Sequence, residues 1–548
     1  MKRAMAAAAA ALTAAALLTA CRSGNDHEPA ASVRPDGAPP VIAAGKYDPP
    51  IELTTVAATY PASVKFGPGD DLNNNPWTRY LKDTLGISVR TLWEAPIAEL
   101  EMKINLMIAS GSLPDFFPVT ATQLVQLEKA NLIEDLTGVY RQYAPDDVRA
   151  VIAQAGPEVL EAATIRGKLM AIPFTGVAKE SVPLLWVRED WRKKLQLPEP
   201  ATMQDMLGIA EAFAGMDPDG NGIHDTFGLA FDKEFVRSEG FLNGFHAYRD
   251  IWIKDGRGQL VYSSIQPEMK TALAKLQDMY KAGQLDPAFG VKTVAKVNED
   301  IGAGKIGLMY GGLTSGIAPL AGLTPDAVWK AYPAPSADAK PTLLQHPLNT
   351  FYGFWAVKKG VRHPEAILKL ADEWIKLFYT NTSDELFRAY NTDGGISYWM
   401  NAPIKLYKSF KNAEIAAHLE PLLASGRADA GQLAKLTPEE RQEYAYIEQF
   451  NAGDRSLWGW ASRSGIGGSG SIVNRYVANG QFLPNRFTAP PTPAMVQKNA
   501  MLQKLELDVF TKIIMGESVD LFDRFVIDWQ TLGGGEMTRE ANDWYANR

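Results

Sequence analysis

The sequence predicts an α/β fold with more than one hydrophobic core. At 548 residues the chain is long enough for two to four domains. From residue 51 onward, short apolar strands alternate with amphipathic helices, which is typical of an α/β domain. Hydrophobic residues make up 46% of the chain and charged residues 22%, the proportions of an ordinary globular protein.

The first 21 residues have the pattern of a bacterial lipoprotein signal. A basic start, Met1 to Arg3, precedes an apolar run from Ala6 to Leu18 and then Leu18-Thr19-Ala20-Cys21. We expect residues 1–20 to be removed and Cys21 to be lipidated. A plain signal peptide or an uncleaved anchor is the alternative. No later run approaches the ~18 apolar residues of a membrane span. The sequence therefore predicts an extracytoplasmic protein that acyl chains hold on the bacterial membrane.

Residues 21–50 are rich in Pro, Ala, Gly and Asp and have no apolar period, so we expect a disordered tether. The alternating residues Ile51 to Val56 predict the first strand. A helix through Trp77, Tyr80 and Leu85 follows. We then expect a strand from Ile87 to Leu92, a helix from Met102 to Ala109 and a strand from Phe116 to Val119.

The stretch from Leu184 to Leu229 is predicted to be a strand, a short helix, a second helix and an oxygen-rich loop. Thr202 and Asp205 have the spacing of a capping box for the second helix. Its apolar residues fall on one face at helical spacing, namely Met203, Met206, Leu207, Ala210 and Phe213.

The loop after that helix follows the first part of an EF-hand. Side-chain oxygens come from Asp217, Asp219, Asn221 and Asp225, and the carbonyl of Ile223 takes the seventh position. Gly228 stands where an EF-hand carries its last acid. We predict a structural calcium site, and the alternative is an Asx-rich surface turn without metal.

Strong periodicity returns in the later chain. Pro267 begins a helix that ends near Gly283, and apolar strands are predicted from Ile306 to Tyr310 and from Phe351 to Val357. A helix beginning at Pro364 follows, with its apolar residues on one face: Ile367, Leu370 and Trp374. Residues 392–483 are less regular, and the tail is helical again.

Several of these stretches resemble the extracellular solute-binding proteins of ABC importers. They are the 184–229 region with its DPDGNG loop, the phrase LMIASGSLPDFF and the tail IIMGESVDLFDRFVIDWQTLGGGEMTREANDWY. The closest resemblance is to the large oligo- and polysaccharide-binding lipoproteins, including the alginate-binding ones. In that family the loop holds a structural calcium with an acid after the residue equivalent to Asp225, whereas Thr226 stands there in this chain.

The resemblance implies a two-lobed periplasmic-binding-protein-like fold with a hinge and an interlobe cleft. The first lobe is expected at 51–172, with a crossing near Gly167 to Pro173. The second lobe is expected at 173–350 and includes the loop 217–225. A return to the first lobe is expected at 351–400. Residues 401–548 are expected to be shared between the lobes, with the C-terminal helices on the second.

The implied function is non-covalent capture of an oligosaccharide or glycan fragment and its delivery to ABC permease subunits by a monomer. Sugar rings stack on aromatic side chains while their hydroxyls need planar polar partners. The ligand-binding candidates are Asn75, Trp77, Trp252, Tyr310, Trp355, Trp399, Trp458, Trp460 and Arg463. Core packing is the alternative for each aromatic. The segment from Trp458 to Arg463 is expected to be the least core-like.

Other function classes find little support. A net charge of −8 and a pI near 5.5 argue against nucleic-acid binding. One cysteine excludes an internal disulfide and a Cys-based zinc cluster. The GxGxxG match at Gly302 runs from helix to strand, and the match at Gly465 falls in a polar loop, so no organic cofactor is expected.

Three alternative functions stay open at this point. An anchored glycan-degrading enzyme needs a carboxylate pair. A peptide- or anion-binding importer subunit shares the fold. So does a sensory subunit that presents its ligand to a kinase.

Overall fold

The computed structural model describes residues 41–43, 45–59, 66–348 and 350–547. The predicted signal sequence 1–20 and Cys21 lie outside these residues. In the part of the chain that is described, no helix is both long and apolar enough to cross a lipid bilayer. The predicted α/β class is confirmed, because strands and helices alternate through most of the described chain up to Val357, and one further strand, Phe482–Pro484, follows there.

The first segment forms three two-stranded sheets and supplies two strands of a three-stranded sheet. Strand β3 pairs in parallel with β4, and α1 connects them. In order, the elements are β1 (Val41–Ala43), β2 (Lys46–Asp48), β3 (Ile51–Thr59), α1 (Pro76–Leu85), β4 (Ile87–Pro96), α2 (Ile97–Ser110), β5 (Phe116–Val119), α3 (Ala121–Lys129), α4 (Thr137–Tyr143), α5 (Asp146–Ala155), α6 (Pro157–Ala162), β6 (Thr164–Ile165), β7 (Lys168–Leu169) and β8 (Ile172–Thr175).

The sequence sets the two ends of α1 directly. The Asn75 side chain accepts hydrogen bonds from the backbone N–H groups of Trp77 and Thr78, so it caps the free amides of the first turn. Gly86 ends the helix with φ at 68°, a left-handed conformation that glycine adopts without strain. A side chain at Gly86 would also meet the Tyr47 carbonyl oxygen at 2.5 Å.

The second segment contains a four-stranded sheet in the order β10-β13-β9-β14. Strand β10 is parallel to β13, and β9 is antiparallel to both β13 and β14. The elements are β9 (Leu184–Arg188), α7 (Glu189–Lys194), α8 (Met203–Gly215), β10 (Phe227–Leu229), α9 (Glu239–Gly244), β11 (Trp252–Lys254), β12 (Leu260–Tyr262), α10 (Pro267–Lys281), α11 (Val294–Gly302), β13 (Ile306–Gly311), α12 (Ala321–Leu323), β14 (Trp329–Tyr332) and β15 (Leu344–His346).

The chain then returns to the first sheets and finally forms a helical region. Strand β16 lies between β5 and β8 and is antiparallel to both. The remaining elements are β16 (Thr350–Val357), α13 (Ala366–Ile375), α14 (Asp384–Tyr390), α15 (Lys411–Ala424), α16 (Ala430–Leu433), α17 (Pro438–Asn451), α18 (Trp458–Ser464), α19 (Ser469–Ala478), β17 (Phe482–Pro484), α20 (Pro493–Ile514), α21 (Leu521–Trp529) and α22 (Gly535–Ala546).

Buried apolar side chains form two large cores. The first core draws on residues 47–174 and 354–406. The second draws on residues 182–344 and 458–541, together with Ala413. A small third cluster joins α15 to α17 through residues such as Leu419 and Tyr444. Because each core has its own sheet, the chain is organised as two packed units, which we call the first and second units.

The chain passes between the two units three times. It crosses between residues 175 and 182, between 346 and 350, and between 406 and 413. We call these the crossing segments. The first lies a few residues later than the region Gly167 to Pro173, because β8 still pairs with β16 in the first unit. Residues up to Leu406 belong to the first core, which extends the expected return segment 351–400.

The end of the expected tether belongs to the fold. Strands β1 and β2 form a hairpin, and Tyr47 is 1% exposed. Its hydroxyl donates a hydrogen bond of 2.8 Å to Glu365 of the first unit. The prediction of a disordered segment up to residue 50 is therefore wrong for its last residues. The short apolar run from Val41 to Ala44 and the single aromatic Tyr47 stand among prolines without a clear period, so the sequence pattern does not reveal the hairpin.

Candidate functional site

In each unit, strands that run in the same direction end beside a crossing segment. In the first unit these are β5 and β8, which are both antiparallel to β16, and in the second unit they are β10 and β13. In the first unit, Thr350 at the start of β16 lies opposite Thr175 at the end of β8. In the second unit, Gly311 at the end of β13 lies opposite Leu184, where β9 enters from the first crossing segment. In open α/β sheets, ligands bind outside the carboxyl ends of the strands. The region beside the crossing segments is therefore the candidate binding region.

A pocket opens at this edge of the first unit. It is lined by residues 55–59 of β3, by Thr91 and Glu94 of β4, by the start of α2 and by residues 400–403. Phe174, Trp355 and Lys405 complete the lining. We call it the strand-end pocket. It combines aromatic surface with hydroxyl, amide and ammonium groups, the mixture expected for a small-molecule site.

The aromatic side of the strand-end pocket is held rigidly. The rings of Phe174 and Trp355 meet edge to face, with centroids 5.1 Å apart. The indole N–H of Trp355 donates to the backbone carbonyl of Lys405 at 3.2 Å. Both rings belong to the first core, and Trp355 is 6% exposed, so only a small part of its indole borders the pocket.

Two side chains with nitrogen donors, Asn401 and Lys405, also line the pocket. The side-chain amide nitrogen of Asn401 is buried, and it has no hydrogen-bond partner among the residues that the structure describes. The Lys405 ammonium donates to the Ala402 carbonyl at 2.9 Å. Burial lowers the pKa of Lys405 to about 8. Both side chains therefore retain donor capacity that the described protein groups do not use.

A buried polar network joins the first and third crossing segments. Glu180 accepts a hydrogen bond from the Asn412 backbone N–H at 2.9 Å and another from the Asn412 side-chain amide. The Asn412 side-chain oxygen accepts from Arg463 at 3.1 Å, and Arg463 also pairs with Glu443. Burial raises the pKa of Glu180, while the Asn412 amide opposes that rise. This network fixes the relation between α18 and the crossing segments.

Two of the candidates identified from sequence shape the first helix instead of lining the pocket. Asn75 is fully buried, and its amide N–H groups donate to the carbonyls of Asp71 and Leu72 at 3.1 Å each. Trp77 is also buried, and its indole N–H donates to the Tyr390 carbonyl at 3.0 Å. The Asn75 amide thus bonds to neighbouring backbone groups through both its oxygen and its nitrogen, and a ligand role for Asn75 and Trp77 stays a prediction.

Two further candidates lie in the second core. Trp252 is buried on β11, and its ring lies 5.4 Å from that of Tyr262. Tyr310 is buried on β13, and its hydroxyl has no partner in the described part of the chain. A side chain on Gly240 would strike the Tyr310 ring at 2.1 Å, which shows how closely α9 covers it. A ligand role for both residues stays a prediction.

The expectation that the segment from Trp458 to Arg463 is the least core-like is wrong. It forms α18, and Trp458 is only 8% exposed within the second core. Arg463 is buried against Glu443. Trp460 is half-buried, with the Arg463 guanidinium 4.8 Å from its ring. Small residues around the aromatics allow close helix packing: a side chain on Gly459 would meet the Gly316 carbonyl oxygen at 2.8 Å.

The glycines after α18 differ from expectation in part. Gly465 and Gly467 lie in a loop, as predicted, but the loop is short, and Gly470 belongs to α19, which begins at Ser469. A strand does not precede these glycines, so the arrangement still lacks the strand–turn–helix order of a dinucleotide site.

The last two aromatic candidates lie in the first unit. Trp355 lines the strand-end pocket, as described above. Trp399 is half-buried nearby, with its ring 5.8 Å from Phe378 and 6.4 Å from Trp374. Sequence reasoning missed Phe174, Asn401 and Lys405. The alternating burial of Ala402, Ile404 and Leu406 gives a weak period-two signal for this extended segment.

The oxygen-rich loop gathers part of a cation site. The side-chain amide nitrogen of Asn221 donates to Asp219 at 2.8 Å and to Asp225 at 3.3 Å, so these three side chains converge. Burial and the neighbouring Asp217 carboxyl raise the pKa of Asp219. Within the described residues, no group of three or more His, Cys, Asp or Glu side chains is gathered tightly enough to hold a metal ion.

Thr226 and Gly228 stand where an acid would complete the cation site, and both positions contribute to packing against α8 instead. The Thr226 hydroxyl donates to the Phe213 carbonyl at 2.7 Å and is buried. A side chain on Gly228 would lie 2.5 Å from the Ala210 carbonyl oxygen, so α8 leaves no room for an acid there. A calcium ion held by Asp217, Asp219, Asn221, Asp225 and the Ile223 carbonyl therefore stays a prediction.

The comparisons with known proteins agree with this architecture. The profile of the bacterial extracellular solute-binding protein family matches residues 77–383, more than half of the chain. The lipoprotein LipO of Bacillus subtilis is 24% identical over 253 residues, which cover 44% of this chain and 47% of LipO. FusA of Streptococcus pneumoniae, a fructooligosaccharide ABC transporter substrate-binding protein, is 29% identical over 191 residues, 33% of this chain and 34% of FusA.

Each matched region thus spans about half or less of these curated relatives. Solved structures match over nearly the whole fold. A human-milk-oligosaccharide (HMO) binding, ABC-transporter-associated protein of Bifidobacterium longum infantis has a TM-score of 0.62 at 15% identity, covering 90% of this chain and 98% of that chain. A FusA EF-hand mutant in complex with fructo-nystose has a TM-score of 0.58 at 14% identity, covering 91% and 100%. The structural matches show a shared fold, and the family profile shows that the chain belongs to the bacterial extracellular solute-binding proteins.

Proposed function

We propose that this protein is the capture subunit of an ABC importer for oligosaccharides, and that the strand-end pocket holds part of the ligand. The observation that carries the proposal is that the Trp355 indole and the Asn401 amide nitrogen, which has no partner among the described residues, line one pocket. Sugars need both, because their ring faces are apolar and their hydroxyls accept hydrogen bonds. The names of FusA and of the Bifidobacterium protein support the same ligand class.

The proposed mechanism is closure of the two units around the ligand. Three crossing segments connect the units, and hinges of this kind let two lobes rotate as nearly rigid bodies. The closed form would then dock on permease subunits as a monomer. LipO is a lipoprotein, which supports anchoring of this chain to the membrane through Cys21.

The pocket favours binding over hydrolysis. Glycoside hydrolysis by the usual mechanism needs two carboxyl groups that flank the scissile bond. Among the described residues that line the strand-end pocket, Glu94 is the one carboxylate, and it is exposed at the rim. The family consists of solute-binding proteins, and we propose that this chain does not alter its ligand.

A panel titration tests the proposed function. Purified protein is titrated calorimetrically with neutral and acidic oligosaccharides, with peptides of similar mass and with inorganic anions, and the sugars are recovered and analysed by mass spectrometry. We expect saturable binding of at least one oligosaccharide and its recovery intact. Binding of peptides alone would support a peptide importer, and cleaved sugar would support the enzyme alternative. If a strain that lacks the gene for this protein takes up the bound sugar at an unchanged rate, a sensory role is supported instead of transport.

We further propose a weak structural calcium at the loop 217–225. The convergence of Asp219, Asn221 and Asp225 carries this proposal, and the EF-hand of FusA supports it. The cation would brace the turn between α8 and β10 and would take no part in ligand binding. Calcium-dependent stability, described in the Discussion, tests it.

A further inference from the structure

We infer that Trp374 and Tyr379 are positioning residues of the strand-end pocket. Both side chains form hydrogen bonds with the backbone of the chain at one border of the pocket. We call residues 401–406 of this chain the wall segment. The lining of the pocket includes four of them: Asn401, Ala402, Pro403 and Lys405. The inference rests on the proposed function and states what keeps that binding site in shape.

The wall segment is extended and lies outside the sheets. From Ala402 to Leu406 it belongs to no helix or strand that the structure describes. Ala402, Ile404 and Leu406 are buried and alternate with more exposed residues, which is the period of an extended chain. A strand in a sheet is held by a ladder of backbone hydrogen bonds. Because the wall segment lies outside such a ladder, bonds from side chains decide its position.

Two indole groups bond to neighbouring carbonyls of the wall segment. Trp374 donates to the Leu406 carbonyl at 3.0 Å, and Trp355 donates to the Lys405 carbonyl at 3.2 Å. Successive carbonyls of an extended chain point in opposite directions, so the two bonds restrain the segment from different sides. The Trp374 ring is fully buried and stacks on Phe378 with centroids 4.4 Å apart, which fixes the direction of its donor.

Trp374 and Tyr379 act where the wall segment passes into the third crossing segment. The Tyr379 hydroxyl accepts a hydrogen bond from the Lys408 backbone N–H at 3.2 Å. Farther along, Asn412 is bound to Glu180 of the first crossing segment. Movement of the two units bends the chain between these fixed points. The bonds from Trp374 and Tyr379 keep that bending out of the wall segment, so its side chains stay in place around the ligand.

The test removes the indole donor and measures oligosaccharide affinity by calorimetry. Trp374→Phe keeps an aromatic ring in the core but leaves the Leu406 carbonyl without this donor. For the tightest-binding oligosaccharide of the panel, we expect binding to weaken about three- to tenfold. Trp329→Phe is the matched control, because Trp329 is buried in the second core and its indole donates to Thr324 at 3.0 Å. Both variants should melt at a lower temperature, but Trp329→Phe should keep the affinity of the parent protein.

A double-mutant cycle with Asn401→Ala separates positioning from a general loss of stability. If Trp374 acts by placing the wall segment, its effect on affinity depends on the Asn401 amide that contacts the ligand. Trp374→Phe should therefore weaken binding by less than about twofold in the Asn401→Ala background. A general loss of stability would reduce affinity by the same factor in both backgrounds. Hydrogen exchange in a peptide covering residues 402–408 should accelerate in Trp374→Phe and not in Trp329→Phe.

Tyr379→Phe is the second variant, and it decides the question if Trp374→Phe does not fold. It removes one oxygen atom and leaves the ring in place, and we expect the same weakening and the same dependence on Asn401.

Three results would each overturn the inference while the proposed function stands. They are unchanged affinity in a folded Trp374→Phe or, in its place, Tyr379→Phe, an equal loss of affinity in Trp329→Phe, and the same loss with and without Asn401→Ala. The inference also fails if Asn401→Ala alone leaves affinity unchanged, because the wall segment then holds no group that binds the ligand. If the parent protein binds no oligosaccharide, the proposed function fails as well.

Discussion

Glu180 on the first crossing segment holds Asn412 on the third by accepting hydrogen bonds from both its backbone and its side-chain amide. The Ala413 backbone N–H adds a third bond at 3.3 Å. Glu180 is 2% exposed, so water does not replace these contacts. Any movement of the two units must bend the chain on either side of this connection. Glu180 and Asn412 thus form a fixed point between the units.

Glu180→Gln should destabilise the fold. The amide puts a donor where the carboxylate accepted from Asn412, so at least one buried N–H loses its acceptor. Hydrogen bonds to charged groups contribute about 1.5–3 kcal/mol, and we expect a loss of that size in the free energy of unfolding. Urea unfolding measures it. Glu299→Gln, which removes a surface partner of Lys296, is the control and should change stability by less than about 1 kcal/mol. Equal effects of the two variants would contradict the account.

Stability should depend on pH through Glu506. This side chain is fully buried, and burial raises its pKa to about 7 although Arg249 donates to it at 2.6 Å. The unfolded carboxyl titrates near ~4.3. Because the folded protein holds this proton more tightly, its contribution to stability is complete below about pH 4 and is lost as the pH rises to about 7. Burial also raises the pKa of Glu239 to about 7, so Glu239 affects stability in the same direction.

We therefore expect the free energy of unfolding to fall between pH 5 and pH 7, with a shallower fall in Glu506→Gln. Asp250 and Tyr262 are the other titratable groups beside Glu506, and the Tyr262 pKa lies well above this range. Unfolding measured at several pH values checks the prediction. An identical slope in the parent protein and in Glu506→Gln would show that Glu506 does not titrate in this window.

Trp458→Ala should lower stability, and Trp460→Ala should not. Trp458 is packed in the second core, and truncating a buried Trp typically costs ~3–5 kcal/mol. Trp460 is half-buried beside Tyr446, so its loss should cost far less. Thermal melting separates the two variants. A stable Trp458→Ala that binds oligosaccharide weakly would instead restore the sequence-based expectation that Trp458 contacts the ligand.

Calcium should raise the melting temperature modestly. With a Kd of ~1 mM, ~10 mM calcium adds about 1.4 kcal/mol to the free energy of unfolding. Asp217→Asn should remove most of this gain. Asp255→Asn is the matched control, because Asp255 caps a glycine turn through the N–H groups of Arg257 and Gln259. No thermal shift in the parent protein at ~10 mM calcium would leave the loop as a surface turn without metal.

Much of the fold follows from local sequence patterns. Strand β5 has its predicted bounds, and α10 begins at Pro267 as its sequence indicates. Helix α8 has the predicted capping box between Thr202 and Asp205. These elements combine a regular apolar period with a clear start signal. Helix α2 was placed too late, at Met102, because its first turn from Ile97 has neither a cap nor a regular period.

The binding pocket is harder to predict, because its walls come from distant parts of the chain. Of the nine residues proposed from sequence, Trp355 lines the strand-end pocket. Large aromatic side chains bury the most apolar area, so most of the candidates, including Trp77 and Trp252, pack in the hydrophobic cores. Asn401 and Lys405 look like surface residues in the sequence. Only the tertiary fold brings both side chains to one pocket and buries the Asn401 amide nitrogen.

The most direct measurement compares oligosaccharide affinity in Asn401→Ala and Asn391→Ala. Both side chains have a buried amide nitrogen without a partner among the described residues, but only Asn401 lines the strand-end pocket. For the tightest-binding trisaccharide of the panel, we expect Asn401→Ala to weaken binding about three- to tenfold, the value of one hydrogen bond, with an unchanged melting temperature. Asn391→Ala should bind as the parent protein does. Unchanged affinity in Asn401→Ala with weakened affinity in Asn391→Ala would contradict the assignment of this pocket.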